Sequence, residues 1–187
     1  MMATANNDSN HLPPLRRIIT GHTPDGLGTI QSDAVIHGEE AFLEGIRSGA
    51  VWTTDSTPSK DTNNDVDGAK RTVTGGPLGL VMLNGTNLRF TDLAPGTTAP
   101  MHRTSSVDYN ILISGKLILV TDDGSATLIE HPGDVVVQRG NMHAWINPGP
   151  GWTRWVSVLV DAEPASVNGK VLSEGWLTTL SNHTVSK

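Results

Sequence analysis

The sequence predicts an all-β fold of the barrel or sandwich type, and two observations carry this prediction. Short apolar segments (ILIS, KLILV and ATLIE) alternate with turn sequences (SG, DDG and HPG) between residues 111 and 133. The 20 glycines and 11 prolines supply many further turns, as expected for a chain of short strands. A short helix is favoured over residues 39–49, where Phe42, Leu43 and Ile46 recur at helical spacing.

Strand-like segments precede and follow this central region. They are rich in β-branched and aromatic residues and are bounded by Gly, Pro, Asn or Asp. Val156, Val158 and Val160 alternate on one face of such a segment, and an Asn-Gly pair predicts a hairpin further on. The predicted segments are 15–20, 30–36, 50–54, 78–93, 152–163, 167–172 and 174–181, of which the last is either an edge strand or a short helix.

The length of 187 residues fits one compact domain with additional arms. Residues 1–14 are polar and end in a pair of prolines, so we expect a flexible tail. Residues 15–77 are expected to contain arm strands, the short helix and an exposed polar loop over 56–76, which is either mobile or folded over a pocket mouth. The predicted barrel core spans residues 78–163, and residues 164–187 form a C-terminal arm.

Composition and charge narrow the possible partners and the location. A formal net charge of −6 argues against nucleic acid or an anionic membrane surface as the partner. The chain has no cysteine, which excludes disulfides, thiolate metal sites and cysteine nucleophiles. No apolar run approaches the roughly twenty residues of a membrane span, and the polar N-terminus lacks the pattern of a signal peptide. We therefore expect a soluble cytoplasmic protein whose partner is a small molecule.

Two histidines and an aspartate are the residues most suited to chemistry. His102 and Asp108 are separated by an even number of positions, so on one continuous strand both would face the same side, whereas a bend between them would change this. His143 alternates with Trp145 and Asn147, so these three share a face. If the two strands are neighbours in a barrel, the imidazoles and the carboxylate converge inside it.

Two imidazoles and one carboxylate are compatible with two kinds of chemistry. They can form a facial metal triad, for example for Fe(II), with open positions for a substrate. Without a metal they can act as general acid and base, because histidine titrates near neutral pH and burial tunes a carboxylate. Asp108 also has a structural alternative, an ion pair with Arg103 or Arg139.

Glycines and polar residues recur at fixed spacings around these candidates. In a first group, a glycine, a histidine, a carboxylate and a second glycine follow one another, and its members are Gly96, His102, Asp108 and Gly115. In a second group, two glycines precede a histidine and an asparagine, and its members are Gly133, Gly140, His143 and Asn147.

These groups resemble the two sequence motifs of the cupin superfamily, with departures. Thr104 stands where the first motif has a second histidine, and Asp108 replaces its glutamate. The second motif is contracted by one residue before Gly140 and lacks its proline. The segments RRIITGH, VWTTDSTP, PMHRTSSVDY and GDVVVQRGNMHAW further resemble small cupins that are common in fungi and some bacteria, where they often accompany polyketide or other natural-product pathways.

The resemblance implies a double-stranded β-helix, or jelly-roll barrel, with N- and C-terminal arms that can cross to a second subunit of a homodimer. It also implies a small-molecule enzyme with either no metal or a single Fe, Mn or Zn ion held by His102, Asp108 and His143. Because one imidazole of the usual set is missing, a metal-free pocket is the preferred interpretation.

Five further residues are candidates for substrate contacts. Thr104 offers a hydroxyl, Trp145 an apolar wall, and Asn147 lies on the same face as one of the histidines. His22 and Trp52 belong to the N-terminal arm and are candidates to complete the pocket of a neighbouring subunit. The structural alternatives are core packing for Trp145 and an exposed or interfacial position for the two arm residues.

The leading functional hypothesis is an enzyme of secondary metabolism that catalyses a non-oxidative proton transfer on an aromatic or polyketide-like substrate, such as decarboxylation, dehydration, isomerisation or cyclisation. His102 and His143 would be the acid and the base, and Asp108 would orient one imidazole. The alternatives are a metal-dependent dioxygenase that uses the same three residues and a non-catalytic protein that binds a small molecule.

Overall fold

Two β-sheets that pack face to face form the body of the protein. The computed structural model describes residues 12–41 and 43–177, in which all paired strands are antiparallel. The strands are β1 (Leu15–His22), β2 (Gly28–Ile36), β3 (Glu39–Glu40), β4 (Ile46–Thr54), β5 (Thr86–Leu93), β6 (Thr98–Arg103), β7 (Ser106–Ser114), β8 (Leu117–Thr121), β9 (Ala126–Ile129), β10 (Val135–Arg139), β11 (His143–Ile146), β12 (Thr153–Asp161), β13 (Ser166–Val167), β14 (Lys170–Val171) and β15 (Gly175–Trp176). Single 3-10 turns span Asp61–Asn63 and Gly68–Lys70.

The two sheets enclose the core. One sheet has six strands in the order β10-β7-β12-β5-β4-β3, and the other has five in the order β15-β6-β11-β8-β9. One buried cluster takes Leu93 and Leu112 from the first sheet and Leu117 and Trp145 from the second. Because each sheet hides one apolar face against the other, the pair gives the jelly-roll arrangement. The predicted all-β class is confirmed.

The central strand β12 shows why such segments become strands. Trp155, Ser157 and Leu159 alternate on the buried side, and Val156 and Val158 share the opposite, half-buried side. β12 pairs with β5 along one edge and with β7 along the other, so its backbone groups are satisfied on both sides. The predicted sharing of one face by the valines is confirmed.

The helix predicted over residues 39–49 is wrong, because this segment forms β3 and the start of β4. The backbone N–H of Ala41 donates to the carbonyl of Ile46 at 2.8 Å, which closes a tight connection between the two strands. Gly45 takes a left-handed φ of 81° in that connection, a conformation that glycine adopts without strain. Pairing at the sheet edge outweighs the local helical spacing. Phe42 lies outside the described residues.

The predicted loop over residues 56–76 is folded back and held by ion pairs of Arg17 and Arg71. Arg17 of β1 donates to both carboxylate oxygens of Asp67, at 2.9 and 2.8 Å. Arg71 does the same to Asp61, at 2.9 and 2.7 Å. The loop therefore lies against the β1–β2 hairpin, and it does not cover the cavity between the two sheets.

The C-terminal segments follow the core as short arms. β13 and β14 form the predicted hairpin, in which Asn168 and Gly169 have φ values of 51° and 76°, as a type I′ turn requires. β15 then pairs with β6. The rest of the predicted C-terminal element, from residue 178, and most of the predicted N-terminal tail, residues 1–11, lie outside the described residues. Within the described ranges, no helix is long and apolar enough to span a bilayer.

Candidate active site

A cavity of about 100 Å³ lies between the inner faces of the two sheets. The five-stranded sheet contributes His102, His143 and Trp145 to its wall, and the six-stranded sheet contributes Arg89 and Asp108. Pockets for drug-sized ligands commonly measure roughly 300–1,000 Å³, so this cavity suits a small molecule or one part of a larger one. The structure thus brings both imidazoles and the carboxylate to one cavity.

The two histidines face each other from neighbouring strands. His102 of β6 and His143 of β11 are directly paired in the antiparallel ladder. Their ring centroids lie 4.2 Å apart, with the ring planes tilted by 53°. On its other side His102 is paired with Trp176 of β15, whose ring centroid is 4.9 Å away. The predicted neighbourhood of these two histidine strands is therefore present.

Backbone carbonyls hold both imidazole rings in place. Nδ1 of His102 lies 2.8 Å from the carbonyl oxygen of Pro100. Nδ1 of His143 lies 3.1 Å from the carbonyl oxygen of Asn141. A carbonyl only accepts, so in a neutral ring the proton sits on Nδ1 and Nε2 carries the free lone pair. Each histidine therefore presents an unprotonated Nε2 as a base or ligand atom.

Burial keeps the two imidazoles neutral. It lowers the pKa of His143 to about 3, an effect strengthened by the neighbouring His102 ring and opposed by the bond to Asn141. Burial also lowers the pKa of His102; the carbonyl of Pro100 opposes this shift and the positive charge of Arg89 adds to it. Both rings are thus proton acceptors at neutral pH.

Asp108 reaches the cavity from the opposite sheet. The strand breaks between His102 and Asp108, since β6 ends at Arg103 and β7 begins at Ser106 in the other sheet, so the condition of one continuous strand is not met. The Asp108 side chain is buried, and its Oδ1 accepts a 2.5 Å hydrogen bond from Ser106 Oγ. Burial raises the pKa of Asp108 to about 6, against the opposing effect of the Ser106 bond. This carboxyl group therefore exchanges its proton close to neutral pH.

Asp108 has neither of its predicted structural partners among the described residues. Arg103 lies 3.8 Å from Asp122 instead, and Arg139 is exposed, so it faces away from the cavity. Asp108 does not orient an imidazole either, because the two backbone carbonyls already bind the Nδ1 atoms. Its position on the opposite wall explains both differences.

Arg89 is a cavity residue that the sequence interpretation missed. Its Nε and Nη2 donate to Ser48 Oγ at 3.1 and 2.6 Å. No carboxylate in the described part of the chain lies within ion-pair distance of it, and burial lowers the pKa of Arg89. The available signal was alternation along TNLRFTDL, which places Arg89 on the same face as Thr91 and Leu93.

A row of polar side chains continues from Arg89 across the six-stranded sheet. Ser157, the ladder partner of Arg89, donates to Oδ1 of Asn110 at 2.6 Å. Asn110 Nδ2 donates in turn to Oε1 of Gln138 at 2.9 Å. Gln138 is only 3% exposed, and its Nε2 has no hydrogen-bond partner among the described residues. The row thus ends in an unused donor at the cavity wall.

Thr104 and Asn147 do not line the cavity. Thr104 Oγ1 lies 2.8 Å from Ser106 Oγ and so extends the hydrogen-bonded chain that ends at Asp108. Asn147 Nδ2 donates to the carbonyls of Leu93 and Gly151, at 2.8 Å each. Both side chains therefore support the backbone beside the cavity, and the structure does not bring them to a substrate.

His22 and Trp52 line a different space, an open groove of about 1180 Å³ between the β1–β2 hairpin and the folded loop. Trp52 Nε1 donates to Asp61 at 2.8 Å. The groove is larger than the cavity, but two of its carboxylates, Asp61 and Asp67, are already paired with arginines, and the third, Asp65, accepts from Gln31. We place the candidate active site in the smaller cavity because unpaired titratable groups converge there.

The cavity residues do not fit the predicted metal triad. Within the described ranges, no three histidine or carboxylate side chains are close enough to share one ion. The two imidazoles are adjacent, but the Asp108 carboxylate is bonded to Ser106 on the opposite wall. The donor set therefore consists of two nitrogens, one ligand fewer than a facial triad.

Comparison with known proteins gives several relatives. The chain is 35% identical to the cupin-domain-containing oxidoreductase fogC of Aspergillus ruber, over 88% of this chain and 80% of that protein. It is 36% identical to the cupin-domain-containing oxidoreductase virC of Hypocrea virens, over 83% and 82%, and 33% identical to the phomopsin biosynthesis cluster protein D of Diaporthe leptostromiformis, over 92% of each. No protein-family model matches the chain. Among solved structures, the polyketide cyclase RemF of Streptomyces resistomycificus aligns over 75% of each chain, with 15% identity and a TM-score of 0.44.

Proposed function

This chain belongs to the cupin superfamily, and we propose that it is a cytoplasmic enzyme of fungal secondary metabolism that moves protons on a small molecule without oxidising it. The observation that carries this proposal is the opposition of neutral imidazoles and a protonatable carboxyl group across one cavity. Relatives from fungal biosynthesis clusters support the metabolic setting.

His102 is the base in this proposal. His143 is almost completely buried, and a pKa near 3 makes it a weak base. His102 is less buried and keeps its Nε2 lone pair because Nδ1 is bound to Pro100. His143 supports the His102 ring through their contact and hydrogen-bonds the substrate. His102 Nε2 would accept a proton from a carbon or oxygen of the substrate.

Asp108 is the acid. In its protonated form it donates to the substrate oxygen that gains negative charge or departs, and the Ser106 hydroxyl holds its other oxygen in place. A positioned acid or base of this kind contributes about 10²–10⁴-fold to a rate. Dehydration, isomerisation and cyclisation use both the base and the acid, whereas decarboxylation uses only the acid, which protonates the carbon that loses CO₂. The walls of Trp145 and Trp155 would keep the substrate in one conformer.

The test is solvent deuterium exchange. Small aromatic and polyketide-like acids and ketones are incubated with the protein in D₂O, and loss of C–H signals next to carbonyl groups is followed by NMR. We expect exchange with the wild type, a loss of at least a hundredfold in His102→Gln, and a rate that declines above about pH 6 as Asp108 loses its proton. Asp108→Asn should be slower and lack that decline. Equal exchange in wild type and His102→Gln would exclude the assigned base.

The competing function is an oxidoreductase, the activity in the names of fogC and virC. The observation that favours it is the anchoring of both Nδ1 atoms by carbonyls, which is how metal-binding imidazoles are commonly oriented. Elemental analysis of the purified protein and of His143→Ala separates the two functions. Stoichiometric iron, manganese or zinc that disappears in the variant would favour the oxidoreductase. Saturable ligand binding with neither exchange nor oxidation would indicate a binding protein.

We also propose that the protein is a homodimer. The β1–β2 hairpin forms a two-stranded sheet of its own, and its exposed residues include Ile18, Ile30 and Val35. A second copy of the chain would cover this apolar surface. Sedimentation equilibrium should give twice the 19.9 kDa chain mass, and Ile18→Asp should shift the protein towards the monomer. A monomeric wild type at micromolar concentration would contradict the proposal.

A further inference from the structure

Arg89 places a positive charge in the cavity without a negative partner in the described part of the chain. The guanidinium is partly buried, and burial disfavours its charged form. Asp108 lines the same cavity, but it bonds to Ser106 and forms no ion pair with Arg89. A buried cation without a counter-ion is costly. An anionic ligand would remove that cost.

Ser48 holds the guanidinium in a fixed orientation. The Ser48 hydroxyl donates to the carbonyl of Phe90 at 2.7 Å, so its lone pairs are free to accept. It accepts from both Nε and Nη2 of Arg89. An arginine has five N–H donors in a planar fork. The donors that Ser48 does not use therefore remain available, and their direction is set before a ligand arrives.

A second unused donor lies on the same wall. Gln138 Nε2 is buried and has no partner among the described residues, while Oε1 of the same side chain is held by Asn110. Asn110 is held in turn by Ser157. This chain fixes the amide, so that Nε2 is the group left to bond a ligand. Leaving such a buried donor unsatisfied is unfavourable, and an acceptor atom of a ligand would remove that penalty.

We propose that Arg89 and Gln138 recognise a small organic acid, whose carboxylate pairs with Arg89 while another of its oxygen atoms accepts from Gln138. The proposal rests on the proposed function in one respect, that this cavity is where the substrate binds, and it adds the chemical class of that substrate. The planar guanidinium fork matches a carboxylate in bidentate geometry. Trp145, Trp155 and Trp176 would surround the apolar body of the acid.

The position of the carboxylate has a consequence for the substrate's orientation. Arg89 lies on β5 and Gln138 on β10, separated in the sheet by β12 and β7. Neighbouring strands lie about 4.8 Å apart, so the two donors cannot both serve one carboxylate across a flat sheet. The acid would therefore be bound by its ends, with its middle facing His102 on the opposite wall.

4-Acetylbenzoate, whose distal ketone oxygen can accept from Gln138 Nε2, tests the Gln138 end: it should bind more tightly than benzoate to the wild type and lose that advantage in Gln138→Leu. Benzoate and its neutral isostere benzamide test the Arg89 end. They have nearly the same shape and differ in charge, and binding is followed by the fluorescence of the cavity tryptophans and by calorimetry. We expect saturable binding of benzoate to the wild type and at least tenfold weaker binding of benzamide. Arg89→Met should weaken benzoate binding at least tenfold and leave benzamide nearly unchanged. Arg89→Lys should restore part of the benzoate affinity, because it keeps the charge without the planar fork.

Arg139→Met is the matched control, since it removes the same charge from an exposed position next to Gln138. It should bind benzoate like the wild type. Ser48→Ala should weaken benzoate binding by a smaller factor than Arg89→Met, because it frees the guanidinium without removing it. Inorganic phosphate tests whether any anion suffices, and it should compete with benzoate only weakly because it has no apolar body.

The outcomes are separate from those of the exchange experiment, because binding does not require turnover. Wild type that binds neither probe at about 10 mM, or that binds both equally, would overturn the recognition of an acid. So would an Arg89→Met variant with unchanged benzoate affinity and a wild-type melting temperature. Benzoate binding that depends on Arg89, together with exchange that does not depend on His102, would leave the acid site in place and refute the catalytic proposal.

Discussion

His102 and His143 are paired residues of neighbouring strands, and their ring centroids are 4.2 Å apart. Protonating both imidazoles at this distance costs free energy, because the two positive charges repel each other. Both rings are uncharged at neutral pH because the pKa of each is lowered, and acid can protonate one of them more easily than both. This relationship gives the protein a pH dependence that can be measured without a substrate.

Acid should destabilise the protein through His143. Its pKa is lowered from 6.5 to about 3 in the folded state, so its contribution to stability is present above pH 6.5 and is lost as the pH falls through about 3. At about 1.4 kcal/mol per pKa unit, the loss is at most about 5 kcal/mol. Urea unfolding between pH 7 and pH 4 should show a smaller decrease for His143→Gln than for the wild type.

The exposed His37 supplies the control for this experiment. His37→Gln should show the same decrease in unfolding free energy with acid as the wild type. Parallel curves for the wild type and His143→Gln would contradict the assignment of the acid sensitivity to the buried pair.

Asp108 should have the opposite effect on the pH dependence of stability, so that its contribution is larger in acid than at alkaline pH. Its pKa is raised from 3.8 to about 6, so its contribution to stability is fully present below pH 3.8 and is lost as the pH rises through about 6. The shift corresponds to about 3 kcal/mol. Asp108→Asn, which still accepts from Ser106, should therefore unfold at higher urea than the wild type at pH 8 and lose this advantage at pH 4. An Asn variant that is less stable at pH 8 would show that the ionised carboxylate has a partner.

The Arg154–Asp92 ion pair should contribute strongly to the stability of the sheet. Nε and Nη2 of Arg154 donate to the two oxygens of Asp92 at 2.6 Å each, and both side chains are buried. Removing one partner from such a pair costs about 3–5 kcal/mol, because the other charge stays buried. Asp92→Asn should lower the unfolding free energy by this amount, and a double variant with Arg154→Met should recover part of it. Simple additivity of the two single effects would mean that the charges do not interact.

Gly115 and Gly96 should respond very differently to alanine. Both have a left-handed φ, of 80° and 73°, so each alanine carries about 1–2 kcal/mol of backbone strain. At Gly115 a Cβ would also clash with Thr153 Oγ1 and the Thr153 backbone, whereas at Gly96 nothing lies within 4 Å. Gly115→Ala should therefore lower the melting temperature clearly more than Gly96→Ala. Equal effects would show that the neighbouring strand moves aside at little cost.

The strands and the histidine pair could be predicted because their signals are local. Alternation along β12 determines which side chains are buried, and the fixed spacings around His102 and His143 place both in one kind of barrel. The short helix could not be excluded in this way. The left-handed turn at Gly45 and the pairing of β3 with β4 make this segment a strand, and both depend on contacts at the sheet edge.

The polar wall of the cavity was harder to predict. The chain passes from one sheet to the other between Arg103 and Ser106, and period-two alternation does not reveal such a crossing. The sequence therefore left open whether Asp108 lies on the strand of His102, and in the structure the Asp108 side chain faces His102 from the other sheet. Arg89 and Gln138 were missed because a polar residue within a strand is normally assigned to the solvent side, and only the folded chain shows that this side is the interior.

Because the cavity is built from two sheets, catalysis depends on how these sheets are packed against each other. The imidazoles belong to the five-stranded sheet, and the guanidinium and the carboxyl group belong to the six-stranded sheet. No isolated hairpin of the barrel contains all of these groups. A small shift of one sheet relative to the other would misalign donor and acceptor while the strands are still intact. Catalytic activity should accordingly be lost at a lower denaturant concentration than the circular-dichroism signal of the strands. The reaction rate would therefore be a sensitive measure of how well the two sheets are packed against each other.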